Sequence, residues 1–380
     1  MQALSLAERA ELEPVQTVLH ELHTELGAKL VPFAGFSMPL NYPAGILAEH
    51  RHTRHRASLF DVSHMHRLRV TGLNADAALE ALCPANIIDL PPGVLRYTVM
   101  TNDDGGIVDD LMIRRCDQGF EIIANAATRD ADLAWLHAHL DSQCQVQTHD
   151  EFALLALQGP SAAEVLAGLQ PNIHDLSFMQ AAAFELAGKF CLVARCGYTG
   201  EDGFEISVPV EHAETLAREL LAHETVAPAG LGARDGLRLE AGLCLYDQDM
   251  DATTSPVEAG IGWSIPKSRR TGGERTGGFP GSVRILAELA EGPARRLTGL
   301  LPSGRAPLRQ DTALLNTDGT TIGRVTSGGH SPILEQPIAL GYVDSTQLAN
   351  NGKLQASLRN RLIDVQTTSL PFVSHRYVRH

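Results

Sequence analysis

Thr101–Ile113, TNDDGGIVDDLMI, is the stretch that decides how the chain is organised. Asn102, Asp103, Asp104, Gly105 and Gly106 are residue types that tolerate the left-handed backbone of a tight turn. Arg96–Met100 (RYTVM) enters that turn and Ile107–Arg114 (IVDDLMIR) leaves it, each with the β-branched and apolar content of a strand. Asp109 and Asp110 interrupt the second strand. Successive strand residues point to opposite faces, so at least one of the two aims at whatever the hairpin encloses, and a buried carboxylate is costly without a partner. For an arbitrary Asp-Asp pair an exposed strand end is the plainer reading; the company this pair keeps argues against it.

The chain of 380 residues exceeds what one hydrophobic core usually serves, so two or three domains are expected. Its 31 basic and 45 acidic side chains leave a formal charge of -14, which argues against nucleic acid or an anionic membrane surface as the main partner. Cys83, Cys116, Cys144, Cys191, Cys196 and Cys244 are scattered, with no CxxC and no zinc-type spacing, as for reduced core thiols of an intracellular protein. The acidic N-terminal stretch MQALSLAERAELEPVQT does not read as a targeting segment. No run approaches the roughly 20 apolar residues of a membrane helix. A cytoplasmic protein is expected.

Along the chain, Val18, Leu22 and Leu26 predict a helix over residues 14–27, closed by Gly27. KLVPFAGFSMPLNYPAGILAEH is too rich in Pro and Gly for a long element and predicts a packed loop, followed by a helix through Glu49 to Ala57. His50, His52 and His55 lie there among Arg51, Arg54 and Arg56, a poor setting for a cation. Leu68 and Val70 alternate with Arg67 and Arg69 in a strand, and Asn74 is placed to cap a short helix to Leu82. Ser161 with Glu164 reads as a capping box after the strand FALLALQ. In GYTGEDGFEISV, Gly197, Gly200 and Gly203 form a turn, and Phe204, Ile206 and Val208 alternate with Glu205 and Ser207. That glycine spacing is not a phosphate loop. Leu231, Arg234, Leu237, Arg238 and Ala241 fall at helical spacing, with Tyr246 just beyond. Residues 266–281 are Gly-rich and basic, a linker or an anion-binding loop. Beyond Ala294 come short strands with turns at Asp318-Gly319, Gly328-Gly329 and Asn351-Gly352, an all-β C-terminal domain.

In order, KLVPFAGFSMPL, SLFDVSHM, CPANI, TNDDGGIVDDLMI, LALQGP, GYTGEDGFEI, ARDGLRLEAGLCLY, SPVEAGIGW, TSGGHSP and LPFV make the chain resemble the aminomethyltransferase (T-protein) family of the glycine cleavage system over nearly its whole length. The resemblance implies an α+β fold, a three-domain cloverleaf around a folate channel with a C-terminal β-barrel or jelly-roll-like unit. Residues 1–61 and 147–253 would form domain 1, residues 62–146 with 254–290 domain 2 and its linker, and residues 291–380 the barrel. It implies transfer of the methylene of an aminomethyl group, carried on the lipoyl arm of a partner H-protein, to tetrahydrofolate with release of ammonia and no metal. By the same resemblance, Asp109 is the catalytic carboxylate, Glu205 takes the pterin donors, Arg234 the folate carboxylates, and Tyr377 lines the channel. Tyr97, Tyr246 and Trp263 are further candidate walls, core packing being the alternative. Arg295 and Arg296 would serve the lipoyl arm or the surface. A folate-dependent demethylase or a non-enzymatic folate-binding paralogue of the same fold are the competing functions, and a hydrolase using Asp109 and Asp110 is the weaker third.

Overall fold

The computed structural model describes residues 13–140, 142–349, 354–358 and 361–379; the N-terminal acidic stretch before Glu13 and the Asn351-Gly352 turn lie outside them. Three β structures dominate. A six-stranded sheet runs Ala181–Leu186, Lys189–Ala194, Gly203–Pro209, Phe152–Gln158, Ala57–Asp61 and Val226–Pro228, antiparallel except at the last pair. A five-stranded antiparallel sheet runs Leu95–Thr101, Ile107–Cys116, Gly119–Ala124, His66–Gly72 and Cys144–Thr148. The chain thus leaves the first sheet after Asp61, builds the second, and returns at Phe152. A closed six-stranded barrel spans Arg295 to Thr368.

Each sheet buries one face under helices. Phe204, Ile206 and Val208 join Leu155, Leu157, Leu216 and Leu220 in one core, while Leu111 and Ile113 join Leu68, Leu79 and Leu136 in another. Such side chains contribute roughly 1.5 to 3 kcal/mol each when fully buried. The opposite faces of the two sheets are turned toward each other. They are tied at their edges where Leu95 N–H donates to Met179 O (2.8 Å) and Ala181 N–H to Gly93 O (2.8 Å).

Several local expectations are corrected. The first helix covers only His20–Glu25, because Val15–Gln16 is drawn into a small sheet beside Phe36–Asn41. KLVPFAGFSMPL is a hairpin, Lys29–Phe33 against Phe36–Asn41, turning through Ala34 and Gly35. Its prolines are tolerated because Pro32 is on an edge strand and Pro39 adjoins a register shift. The next helix begins earlier, at Ile46. Asn74 adopts a left-handed backbone and makes no side-chain cap. Ser161 likewise makes no side-chain cap, its N–H donating to Arg56 O instead (3.1 Å).

The opening hairpin forms as expected, Leu95–Thr101 against Ile107–Cys116, and the turn is held from outside. Asn102 Nδ2 donates to Ala252 O (2.8 Å) while its Oδ1 accepts from Gly106 N–H (2.9 Å). Gly106 is required by close approach, since a Cβ there would lie 1.7 Å from Ala252 O.

Candidate active site

Alternation along Ile107–Cys116 separates the two aspartates. Asp109 shares its face with Leu111 and Ile113 and is fully buried toward the helix Arg129–His139. There its oxygens accept from Asn125 N–H (3.1 Å), Asn125 Nδ2 (2.8 Å) and Thr128 Oγ1 (3.0 Å). Asp110 shares its face with Met112 and Arg114, which with Leu192, Ala194 and Glu205 line a cavity between the sheets. The structure therefore places Asp109 beneath the helix and Asp110 on the face it shares with the cavity-lining Met112 and Arg114. Deciding between the two from the hairpin alone was not possible, because strand alternation gives opposite faces without saying which face the helices cover.

Asp110 Oδ1 accepts from Asn125 Nδ2 (2.7 Å) and Oδ2 from the Tyr97 hydroxyl (3.0 Å). Burial, then the Asp109 charge, push its carboxyl up to about 7. The Tyr97 ring stacks on Trp263 at 5.5 Å, and Trp263 is otherwise mostly solvent-facing. Tyr198 and Cys244 complete the surroundings, the Tyr198 hydroxyl donating to Cys244 O.

Across the cavity, Glu205 projects from the face of its strand opposite Phe204 and Ile206. Cys196 Sγ donates to its Oε2 at 3.6 Å. Burial raises its pKa and the nearby Arg234 cation pulls it back. Arg234 lies in the first turn of the helix Leu231–Glu240, its guanidinium 4.8 Å from the Tyr198 ring centroid. Its Nη1 is buried with no partner, a costly arrangement that an acceptor on a bound molecule would relieve. His64 adjoins it, and burial followed by the Arg234 charge hold that imidazole down at about 4.

The remaining candidates divide. Tyr377 stacks on Phe178 at 4.0 Å, and burial raises its hydroxyl's pKa, with Arg54 and Cys196 among the groups it senses. The tail bearing it is pinned by Arg376 N–H to Gly200 O (2.8 Å) and by the Arg376 guanidinium to Glu201 (3.3 Å). Tyr246 packs with Val99, Ile107 and Met250 and donates to Ile107 O (3.2 Å), a packing position behind the hairpin. In the basic loop after Pro266, Arg269 (2.5 Å) and Arg275 (2.8 Å) both engage the Glu80 carboxylate and so are not free charges. Arg295 pairs with Glu258. His50 is bonded to Glu240 (2.8 Å). Among the described residues no three His, Cys, Asp or Glu side chains converge as a metal site. Sequence reasoning gave no role to Asn125, Tyr198, Cys196 and Asp132; Tyr198 lies within the GYTGEDGFEI block and Cys196 just before it, and only the folded sheets bring the four to the aspartates and Glu205.

Residues 19–269 match the GCVT N-terminal domain and residues 295–374 the glycine cleavage T-protein C-terminal barrel domain. The probable mitochondrial aminomethyltransferase of Schizosaccharomyces pombe is 44% identical over 371 residues, 96% of this chain and 94% of that protein. The mitochondrial aminomethyltransferase of Gallus gallus is 42% identical over 371 residues, covering 95% and 93%. The crystal structure of glycine cleavage system aminomethyltransferase T from Bartonella henselae superposes with a TM-score of 0.90 at 41% identity, covering 97% of this chain and all of that one. The chain belongs to the glycine cleavage T-protein family, and aminomethyl transfer in glycine cleavage is its activity.

Proposed function

We propose that the cleft between the two sheets takes tetrahydrofolate as co-substrate and receives the aminomethyl group from the dihydrolipoyl arm of a lipoylated H-protein. The observation that carries this reading is the Tyr198 ring, which packs on Arg234 (4.8 Å) beside Glu205 and also senses the Asp110 carboxyl that Tyr97 donates to. Glu205 accepts the amino and ring N–H hydrogens of the pterin as a bidentate, charge-assisted pair. Arg234, beside Glu205 and with Nη1 unsatisfied, suits a pterin carbonyl oxygen better than the tail carboxylates first assigned to it. The Tyr97–Trp263 stack offers an aromatic wall, and Tyr377 borders the Cys196 side.

In the reaction the carbon–nitrogen bond to ammonia and the carbon–sulfur bond break. Two carbon–nitrogen bonds to the folate form. The two protons lost from the folate nitrogens end on the dihydrolipoyl thiol and on ammonia. Asp110, rather than Asp109, is the group in reach. As a carboxylate it stabilises the cationic one-carbon centre left when ammonia departs, and with a pKa of about 7 it is suited to hold a folate proton in passing. Tyr97 and Asn125 orient it. Asp110→Asn keeps size and removes charge, so turnover should fall by about 10² to 10⁴ fold while folate affinity stays within a few fold. Full turnover in Asp110→Asn would refute the assignment.

We also keep, as proposals, the three-domain division given above and a reducing compartment. Buried thiols at Cys83, Cys191, Cys196 and Cys244 support the latter. Cell fractionation separates the cytoplasm, our reading, from the mitochondrial location in the relatives' names. No described helix is long and apolar enough to cross a membrane.

A further inference from the structure

Behind Asp110 lies a second carboxylate pair that the reaction does not touch. Asp132, on the helix Arg129–His139, is fully buried. Neither of its oxygens meets a hydrogen-bond donor, and it sits one helical turn after Thr128, whose carbonyl accepts from Asp132 N–H (2.8 Å) and whose Oγ1 donates to Asp109 (3.0 Å), so that the Asp109 charge raises its pKa. Two neighbouring carboxyl groups, both fully buried and one of them without a donor, require a proton between them, because two like charges in a dry interior repel strongly. The partners say which group holds it. Asp109 already accepts from Asn125 N–H, Asn125 Nδ2 and Thr128 Oγ1, leaving room for one more donor.

We infer that Asp132 is a neutral carboxylic acid donating its hydroxyl to an ionised Asp109, and that this fixed charge, passed through the Asn125 side-chain amide, positions Asp110 and sets its affinity for a proton. Asn125 Nδ2 is the joint: it donates to Asp109 Oδ1 (2.8 Å) and to Asp110 Oδ1 (2.7 Å). With both amide hydrogens engaged, its flip state is determined and Asp110 is held toward the cleft. Asp109 and Asp132 are positioning residues, since neither reaches the cavity. The titratable groups facing Asp110 are Asp109, Asp132, Tyr97, Tyr198 and Cys244, and Tyr246 faces Asp109 and Asp132 from behind the hairpin. All are acidic or neutral groups, so the Asp109 charge is not offset by a neighbouring cation among them. Burial and the Asp109 charge drive the Asp132 carboxyl up to about 9.

The inference rests on Asp110 being the reacting carboxylate, and two measurements on the full chain keep the two claims apart. The first is infrared spectroscopy without substrate at about pH 8, between the values of about 7 for Asp110 and about 9 for Asp132. A protonated carboxyl stretch is expected that disappears in Asp132→Asn. The second is the pH profile of turnover in Asp109→Asn. Loss of the neighbouring negative charge lowers the proton affinity of Asp110, so the midpoint assigned to it should move down by about one to three pH units, with folate affinity unchanged. Absence of the acid stretch, its survival in Asp132→Asn, or an unmoved midpoint in folded Asp109→Asn overturns the inference. If Asp109→Asn does not fold, the infrared comparison decides alone. Undiminished turnover in Asp110→Asn would instead remove the Asp110 assignment and leave the infrared result standing.

Discussion

Glu205→Ala isolates the recognition half of the site. In the protein alone, Glu205 has a long contact to the Cys196 thiol (3.6 Å) and the field of Arg234. Removing a carboxylate that burial disfavours should therefore leave the melting temperature within a few degrees. With folate bound, the same change strands two pterin N–H donors. A hydrogen bond to a charged group is worth about 1.5 to 3 kcal/mol; with water admitted to the half-buried gap, the pair together should cost about 2 to 3 kcal/mol. At 1.4 kcal/mol per decade this is roughly a 30- to 140-fold rise in Kd. Titration calorimetry with tetrahydrofolate under anaerobic conditions measures it directly. A Kd within twofold of wild type, with the fold intact, would show that Glu205 does not hold the pterin.

Tyr97→Phe deletes a donor that lowers the Asp110 pKa, so the Asp110 midpoint in the pH–turnover profile should rise and turnover should fall about tenfold; an unchanged profile would separate Tyr97 from Asp110. Arg269→Met leaves the buried Glu80 carboxylate with only Arg275 as ionic partner, and denaturant unfolding should register a loss of about 3 kcal/mol. Burial pushes the Asp61 carboxyl up, but bonds from His23 and Ser63 outweigh it and hold the folded pKa below its usual value. Its stabilisation is thus complete above about pH 3.9, the unfolded value, and is lost as pH falls through the folded one. Asp61→Asn should accordingly be less stable than wild type at neutral pH, with the gap closing in acid melts. Gly106→Ala should destabilise the hairpin, since its Cβ would collide with Ala252 O at 1.7 Å, readable as a lower melting temperature.

Short-range patterns in the sequence carried far. The Thr101–Ile113 hairpin, the alternation around Glu205 and the helix bearing Arg234 are legible because period and turn chemistry are local. The KLVPFAGFSMPL hairpin was hidden because its prolines are excused only by an edge strand and a register shift, both tertiary facts. The choice between Asp109 and Asp110 was hidden for a related reason. Both lie on one strand, and the helix Arg129–His139 that covers the Asp109 face starts beyond the next strand. Asn125 and Asp132 look like ordinary surface-type residues in sequence, and it is their burial against the aspartates that gives them a role. The basic loop after Pro266 reads as free charge until Glu80, nearly two hundred positions earlier, is found beneath it.

The central claim is tested most directly by ammonia release from aminomethylated H-protein, measured with and without tetrahydrofolate and with each protein component left out in turn. The account predicts rapid release, with 5,10-methylenetetrahydrofolate formed in equal amount, only when this chain, the loaded H-protein and tetrahydrofolate are all present, and loss of that rate in Asp110→Asn. Turnover of a free methylated amine without H-protein, or folate binding with no release of ammonia, would contradict it.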